Sequence, residues 1–202
     1  MTEQQQAAPK SRPLRGHARE ALIEAASRRF YADGLAGTGI DAITAEAGVA
    51  KKSLYNNFSS KAELVMAYLN TRHEEWMGLY RKRLESAAGP KERVLAVFDA
   101  YADHAGLAYE RGFRGCGLLN AAAELPAGDS GREAVRRHKE EVEGLLSGHL
   151  GELLPDAPKQ AAPLARHLAY LLEGSMVRAG LEGNDSCVKE ARKIASGLIG
   201  NL

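Results

Sequence analysis

The 202-residue sequence is 45% hydrophobic and carries a formal net charge of +1. That is enough apolar material for a small head and a body with its own core, while no apolar run approaches the roughly 20 residues of a membrane span. No H-E-x-x-H, Walker or G-x-S-x-G pattern occurs, the six histidines are scattered, and Cys116 and Cys187 make no C-x-x-C pair, so metal, nucleophile and disulfide chemistry have no motif.

Residues 1–14 open with a polar, Gln/Ala-rich run that has no apolar signal-peptide region, and a disordered tail on a cytoplasmic protein is expected. From Lys10 to Lys61 nine Lys/Arg stand against five Asp/Glu, a surplus of four, which leaves the remainder at −3. The charge is thus polarised toward the N-terminal part, as a nucleic-acid-facing surface requires. Lys10, Arg12, Arg15 and Arg19 either add phosphate contacts from an arm or form a solvated basic tail.

Leu22, Ala26 and Phe30, with Ile23, make an apolar stripe on a helix from about His17 to Asp33, closed by Gly34. Thr38 can cap a second helix, with Asp41 reaching back as in a capping box, and Ile40, Ile43 and Ala47 then share one face. Gly48 can take the left-handed conformation of a tight corner. After Val49, Leu54 and Phe58 sit four apart and face a core, leaving Lys51, Lys52, Ser53, Tyr55 and Asn56 as a polar outward surface. Asn57 is able to turn inward. Two short helices with a glycine corner, the second polar and basic, present a recognition helix to the DNA major groove. Ser60-Lys61-Ala62-Glu63 is a second capping box that opens a long helix, so the head continues into a rod.

The runs Arg29-Phe30-Tyr31-Ala32-Asp33-Gly34, Thr38-Gly39-Ile40-Asp41-Ala42-Ile43, Ala47-Gly48-Val49, Leu54-Tyr55-Asn56-Asn57-Phe58 and Ser60-Lys61-Ala62-Glu63-Leu64 fall in one order and spacing. Together they closely resemble the N-terminal DNA-binding domain of TetR-family transcriptional regulators, over roughly residues 15–65. Two positions depart from the family's habit. Ala50 stands where a serine or threonine is common and cannot cap, a loss of about 1 kcal/mol of helix stability. Lys52 stands where glycine is frequent, a cation that the helix dipole disfavours by roughly 0.3–1 kcal/mol. It makes most sense beside DNA, the alternative being a solvated lysine. Lys51, Lys52, Ser53, Tyr55 and Asn56 are the expected contacts near bases and phosphates, with Thr38, Thr44, Tyr55 and Lys61 mainly on phosphates.

Beyond residue 60 the pattern is helical throughout, over about 61–87, 91–110, 114–125, 131–153, 160–181 and 185–200, with breaks at Gly89-Pro90, Pro126 to Gly131, Pro155 to Pro158 and Gly183-Asn184. The expected fold is all-α with about nine helices: a tail (1–14), a three-helix helix-turn-helix domain (15–60) and a helical ligand-sensing and dimerisation bundle (61–202). Val135, His138, Val142, Leu145, Leu146, His149 and Leu153 mark a core-facing stripe, its histidines read as bundle-lining.

The last two helices carry Leu164, Leu168, Leu171, Leu172 and Met176, then Val188, Ala191, Ile194, Ala195 and Leu198, among small residues. The resemblance implies that they pair with their copies in a homodimer addressing a roughly palindromic DNA operator. The same stripes would also serve a monomer core. It further implies that the body senses a small apolar or amphipathic effector in a cavity, and that the chain is a repressor which this effector releases from DNA; no cofactor and no membrane partner are expected. Candidate lining residues are Trp76, Tyr80, Phe98, Tyr101, Phe113, Cys116 and Asn120, the last three in a segment that resembles one in a subgroup of the family. For the aromatics, core packing is the favoured reading over ligand lining, and for Cys116 a buried inert thiol is favoured over a redox group. A cavity lined by Tyr101, Cys116 and Asn120 would mark a sensor, a solid body an architectural or interaction module without effector, and converging catalytic groups an enzyme.

Overall fold

A computed structural model describes residues 15–107 and 109–200, with Arg15 by its backbone alone. The expected tail and the arm residues Lys10 and Arg12 lie outside the described residues. Among those described there are nine helices and no strand: α1 (Arg15–Asp33), α2 (Ile40–Glu46), α3 (Lys51–Asn57), α4 (Lys61–Leu84), α5 (Pro90–Ala105), α6 (Gly117–Glu124), α7 (Ser130–Leu153), α8 (Pro158–Glu182) and α9 (Ser186–Gly200). No described helix is long and apolar enough to cross a membrane.

The head forms because three short apolar faces converge. Leu22, Ala26 and Phe30 of α1, Ile43 of α2, Leu54 of α3 and Phe58 just beyond it are all buried. None of these helices could bury its stripe alone, and together they close one small core. Gly34 (φ +81) ends α1 and Gly48 (φ +66) turns α2 into α3, the left-handed backbone that glycine adopts without strain.

The start of α2 differs from expectation. Gly39 occupies the N-cap and no side chain caps the helix. Thr38 is 1% exposed, and its hydroxyl points back at α1, with the carbonyls of Gly34 at 2.7 Å and Arg29 at 3.2 Å. It therefore ties the α1–α2 turn to the helix before it. The Ser60 cap is present, its hydroxyl accepting the Glu63 N–H at 3.2 Å. The returning Glu63 carboxylate takes the Ser59 backbone N–H and hydroxyl at 2.6 and 2.7 Å.

The rod α4 carries the head to the body. In the body α5 packs against α4, α7, α8 and α9, and α6 touches α1, α4 and α7. Helix α4 ends at Leu84 and α5 at Ala105, earlier than the apolar pattern suggested. Helix α6 begins at Gly117 and not near residue 114, because Gly115 (φ +86) holds the chain out of helical geometry and lies against Gly180 of α8.

Candidate nucleic-acid interface

Helix α3 is seven residues long and held from one side only. Leu54 and Phe58 are buried beneath it, and the Arg19 guanidinium lies 5.0 Å from the centre of the Phe58 ring. On the other side Lys51, Lys52, Tyr55 and Asn56 are exposed and Ser53 is half-buried. Tyr55, 52% exposed, is a large apolar ring left in solvent, and with the lysines and Asn56 it forms a face of donors and one π-surface. Asn57 turns back to donate to the Ser53 carbonyl at 2.8 Å and closes the helix end. At the other end Ala50 is the N-cap in extended conformation (φ −70, ψ 148) with no side-chain bond, and the first turn of α3 is closed only by the Ser53 N–H on the Ala50 carbonyl at 2.8 Å.

The two lysines are not equivalent. Lys51 pairs with Asp41 of α2 at 2.8 Å, and that hydrogen bond raises its pKa. No carboxylate stands within salt-bridge distance of Lys52 in the described structure. Thr38, Thr44 and Lys61, three other residues expected at phosphates, are placed differently. Thr38 is buried with its proton committed, as above. Thr44 is 6% exposed and donates to the Asp41 carbonyl at 3.1 Å. Lys61 donates to the Leu35 carbonyl at 2.6 Å and sits 5.9 Å from the Phe30 ring centre. Ser53 accepts the Asn57 amide through its own carbonyl. Thr38, Thr44 and Lys61 thus build the head's frame, and among the described residues the outward cation and π-surface of α3 stand at Lys52, Tyr55 and Asn56.

Pattern reading missed the clamp on α2. Glu46, at its last turn, takes Arg28 Nε at 2.6 Å and also pairs with Arg29. Burial pushes its carboxyl upward, yet the hydrogen bonds from Arg28 and then Arg29 hold it below the usual carboxylate range. Both arginines project from α1, so α2 is locked to α1 while α3 is displayed. The only signal for this in sequence was an adjacent Arg pair and a later glutamate.

The model for the tetR family of bacterial regulatory proteins matches residues 22–68, a span that holds α2, α3, the Glu46 clamp and the Ser60 cap. Residues 22–68 thus carry a DNA-binding domain of the TetR family. The chain is 35% identical over 89 residues to the HTH-type transcriptional activator FasR of Mycolicibacterium smegmatis, a match over 44% of this chain and 41% of that protein. It is 46% identical over 56 residues to the HTH-type transcriptional regulator TtgR of Pseudomonas putida, over 28% and 27% of the two chains. These matches span less than half the length of the curated relatives. Over nearly the whole chain it resembles the crystal structure of SCO4454, a TetR-family transcriptional regulator from Streptomyces coelicolor, with TM-score 0.83, 29% identity, and 92% and 96% of the two chains covered.

Among the described residues, the body does not gather the expected pocket residues into one cavity. Trp76, Tyr80, Phe98 and Tyr101 are each at most 2% exposed, and the Trp76 ring stacks on Tyr80 at 5.5 Å and tilts against Tyr101 at 5.1 Å. They fill a closed core, as aromatics at helical spacing do when a neighbouring helix covers them. Phe113 is buried against Tyr109 at 5.7 Å. His138 meets His73 at 3.0 Å, and His149 meets the Tyr80 hydroxyl at 2.6 Å. Burial lowers the His138 pKa to about 3 and that of His104 to about 4. Lys139, between Tyr101, Cys116 and Glu173, pairs with Glu173 at 2.8 Å. Although its burial pulls the other way, Cys116, Tyr101 and Glu173 hold its pKa above the ordinary lysine value.

Cys116 and Asn120 do share a face. They line a groove of about 340 Å³ against Val177, Gly180 and Leu181 of α8, and the Asn120 amide donates to the Arg114 carbonyl at 3.0 Å. A larger cavity, about 630 Å³, lies elsewhere, between α1, α4, Leu107 and residues 109–114. It was not anticipated from sequence.

Helix α8 has two apolar faces. Leu168, Leu172, Met176 and Ala179 turn inward and are buried. On the opposite side Pro163, His167, Tyr170, Gly174, Val177 and Leu181 are exposed at alternating spacings of four and three, with Tyr170 at 68%, Val177 at 56% and Leu181 at 81%. Ile194 and Leu198 of α9 are exposed as well.

Proposed function

We propose that the chain is a DNA-binding transcription regulator, most simply a repressor, that holds a palindromic operator as a homodimer and releases it when a small molecule binds. Residues 15–60 serve DNA, and residues 61–202 serve dimerisation and sensing. The observation that carries the DNA reading is the display of Lys52, Tyr55 and Asn56 on a helix anchored from behind by Leu54 and Phe58. Operator DNA places this activity in the cytoplasm.

The outward stripe on α8 supports the dimer. A run of exposed apolar side chains at heptad-like spacing is unusual on a monomer and fits a symmetric interface in which each α8 meets its copy, flanked by Ile194 and Leu198 of α9. A second head gives a second half-site, which a single short helix of this size needs for useful affinity. Effector release requires differential affinity. A full inversion of occupancy asks for about 5.5 kcal/mol of preference for the non-binding state.

A second reading, a DNA-binding module of the same fold with no effector, is favoured by the closed core around Trp76 and Tyr101. A gel-shift titration on the region upstream of the chain's own coding sequence, with and without candidate small molecules, separates the two. Specific binding relieved by a compound supports the regulator, specific binding that no compound alters supports the module, and no specific binding rejects both.

A further inference from the structure

The 630 Å³ cavity between α1, α4, Leu107 and residues 109–114 is of the size that holds small ligands. Its apolar wall comes from Ile23, the stacked pair Tyr31 and Tyr109 (ring centres 4.4 Å apart), and Leu107, one of the chain's exposed large hydrophobic residues. Its polar wall holds two unpartnered donors. The Ser27 hydroxyl and Arg72 Nε are buried without a hydrogen-bond partner, a state that native proteins rarely leave unanswered. The rest of Arg72 pairs with Glu75, one turn away on α4. A donor that lacks a partner therefore stands beside a carboxylate acceptor.

We infer that this cavity is the effector site, and that it takes a neutral, flat, largely apolar molecule carrying a hydrogen-bond acceptor next to a donor. This rests on the regulator reading above. Ser27, by one rotamer change, and Arg72 would donate to the acceptor, and Glu75 would take the donor. The charge balance argues against an anion. Arg28 is committed to Glu24 and Glu46, Arg111 to Asp33, and Arg114 to the Tyr31 and Ala32 carbonyls, while Glu20 and Glu110 add negative charge to the lining.

The position gives the ligand a direct hold on the head. Ser27 and Tyr31 lie on α1, Arg72 and Glu75 on α4, and Arg28 in the same wall reaches Glu46 of α2. A molecule touching both helices favours whichever α1–α4 spacing fits it, and so biases the head relative to the rod. This is a site at the head–body junction, separate from the closed aromatic core of the body.

The test uses the full chain and 2-quinolone, a neutral fluorescent bicycle whose carbonyl adjoins its N–H. Saturable binding is expected with a Kd below about 1 mM, the range for a fragment of this size. Ser27→Ala should weaken it about fivefold, the value of one hydrogen bond. Ile23→Trp, which fills the cavity from a half-exposed position, should abolish it in protein shown to be folded by circular dichroism. The anion 2-naphthoate should bind more weakly. Saturating 2-quinolone should also change affinity for operator DNA at least about fivefold. No saturable binding, binding that neither variant alters, tighter binding of 2-naphthoate, or binding without effect on DNA affinity would each overturn the inference. Loss of the site with intact DNA binding leaves the regulator reading standing. Quinolone binding to a chain that recognises no DNA would instead remove that reading and keep only the pocket.

Discussion

The Glu124 carboxylate, on the last turn of α6, accepts the backbone N–H of Leu35 at 2.9 Å and that of Ala36 at 2.7 Å. A side chain of the body thus satisfies two amides of the α1–α2 turn in the head, 89 residues away in sequence. Around it Arg111 pairs with Asp33, Arg114 donates to the Tyr31 and Ala32 carbonyls, and the Tyr31 hydroxyl accepts the Arg114 N–H at 2.7 Å. The C-terminal end of α1 is therefore gripped by residues 111–124.

Glu124→Ala removes both acceptors from a partly solvated site, and the expected loss of stability is about 1 kcal/mol, a fall in Tm of about 2–4 °C for a chain of this length. The sharper readout is local. Amide exchange at Leu35 and Ala36 should accelerate while the α7 and α8 amides keep their protection. Unchanged exchange at those two amides would show that the contact does not hold the turn.

Ala50→Ser supplies the missing cap on α3, where the backbone already has the extended geometry a cap requires. A gain of about 1 kcal/mol is expected in thermal or denaturant unfolding. No gain, in a variant that otherwise folds and behaves as the wild type does, would mean that water already satisfies the first N–H groups as well as a hydroxyl can.

Lys52→Ala should weaken DNA binding and reduce the slope of log affinity against log salt by about one, the signature of one lost phosphate contact. Lys51→Ala should have a smaller effect because Asp41 already pairs with that ammonium. Equal slopes for wild type and Lys52→Ala would take Lys52 out of the interface.

Stability should fall in mild acid. His138 and His104 have folded pKa values near 3 and 4, chiefly because burial penalises the charged ring, against 6.5 when free. The unfolded chain binds these protons more readily, so stability is whole above about pH 6.5 and is lost as pH falls through the window down to the folded values. By about pH 5 each histidine should contribute a loss of roughly 2 kcal/mol. Denaturant titrations at several pH values check this, and His138→Asn should flatten the dependence by about half. An equal slope in that variant would contradict the assignment.

Much of the head was legible because its signals are local. Gly34 and Gly48 punctuate helices at positions where the observed φ is positive, Leu54 and Phe58 repeat at a helical spacing, and Ser60 precedes Glu63 by one capping interval. Thr38 misled because a threonine just ahead of a helix looks the same whether its hydroxyl caps forward or bonds backward, and only the path of the α1–α2 turn decides. The start of α6 was misplaced for a related reason, since Gly115 is left-handed through its packing on Gly180 of α8, far along the chain. In the body, heptad spacing located the core face of α7 but could not say whether Trp76 and Tyr101 meet a cavity or each other. The cavity itself joins Ser27, Arg72 and Tyr109, which no local pattern connects.

Selection of binding sites from random double-stranded DNA, followed by sedimentation of the selected complex, tests the central claim most directly. A sequence with two half-sites related by a two-fold axis and an even number of chains per duplex is expected, and Val177→Lys on the exposed face of α8 should lower both affinity and stoichiometry. Recovery of no preferred sequence, or of a specific complex holding one chain, would contradict that claim.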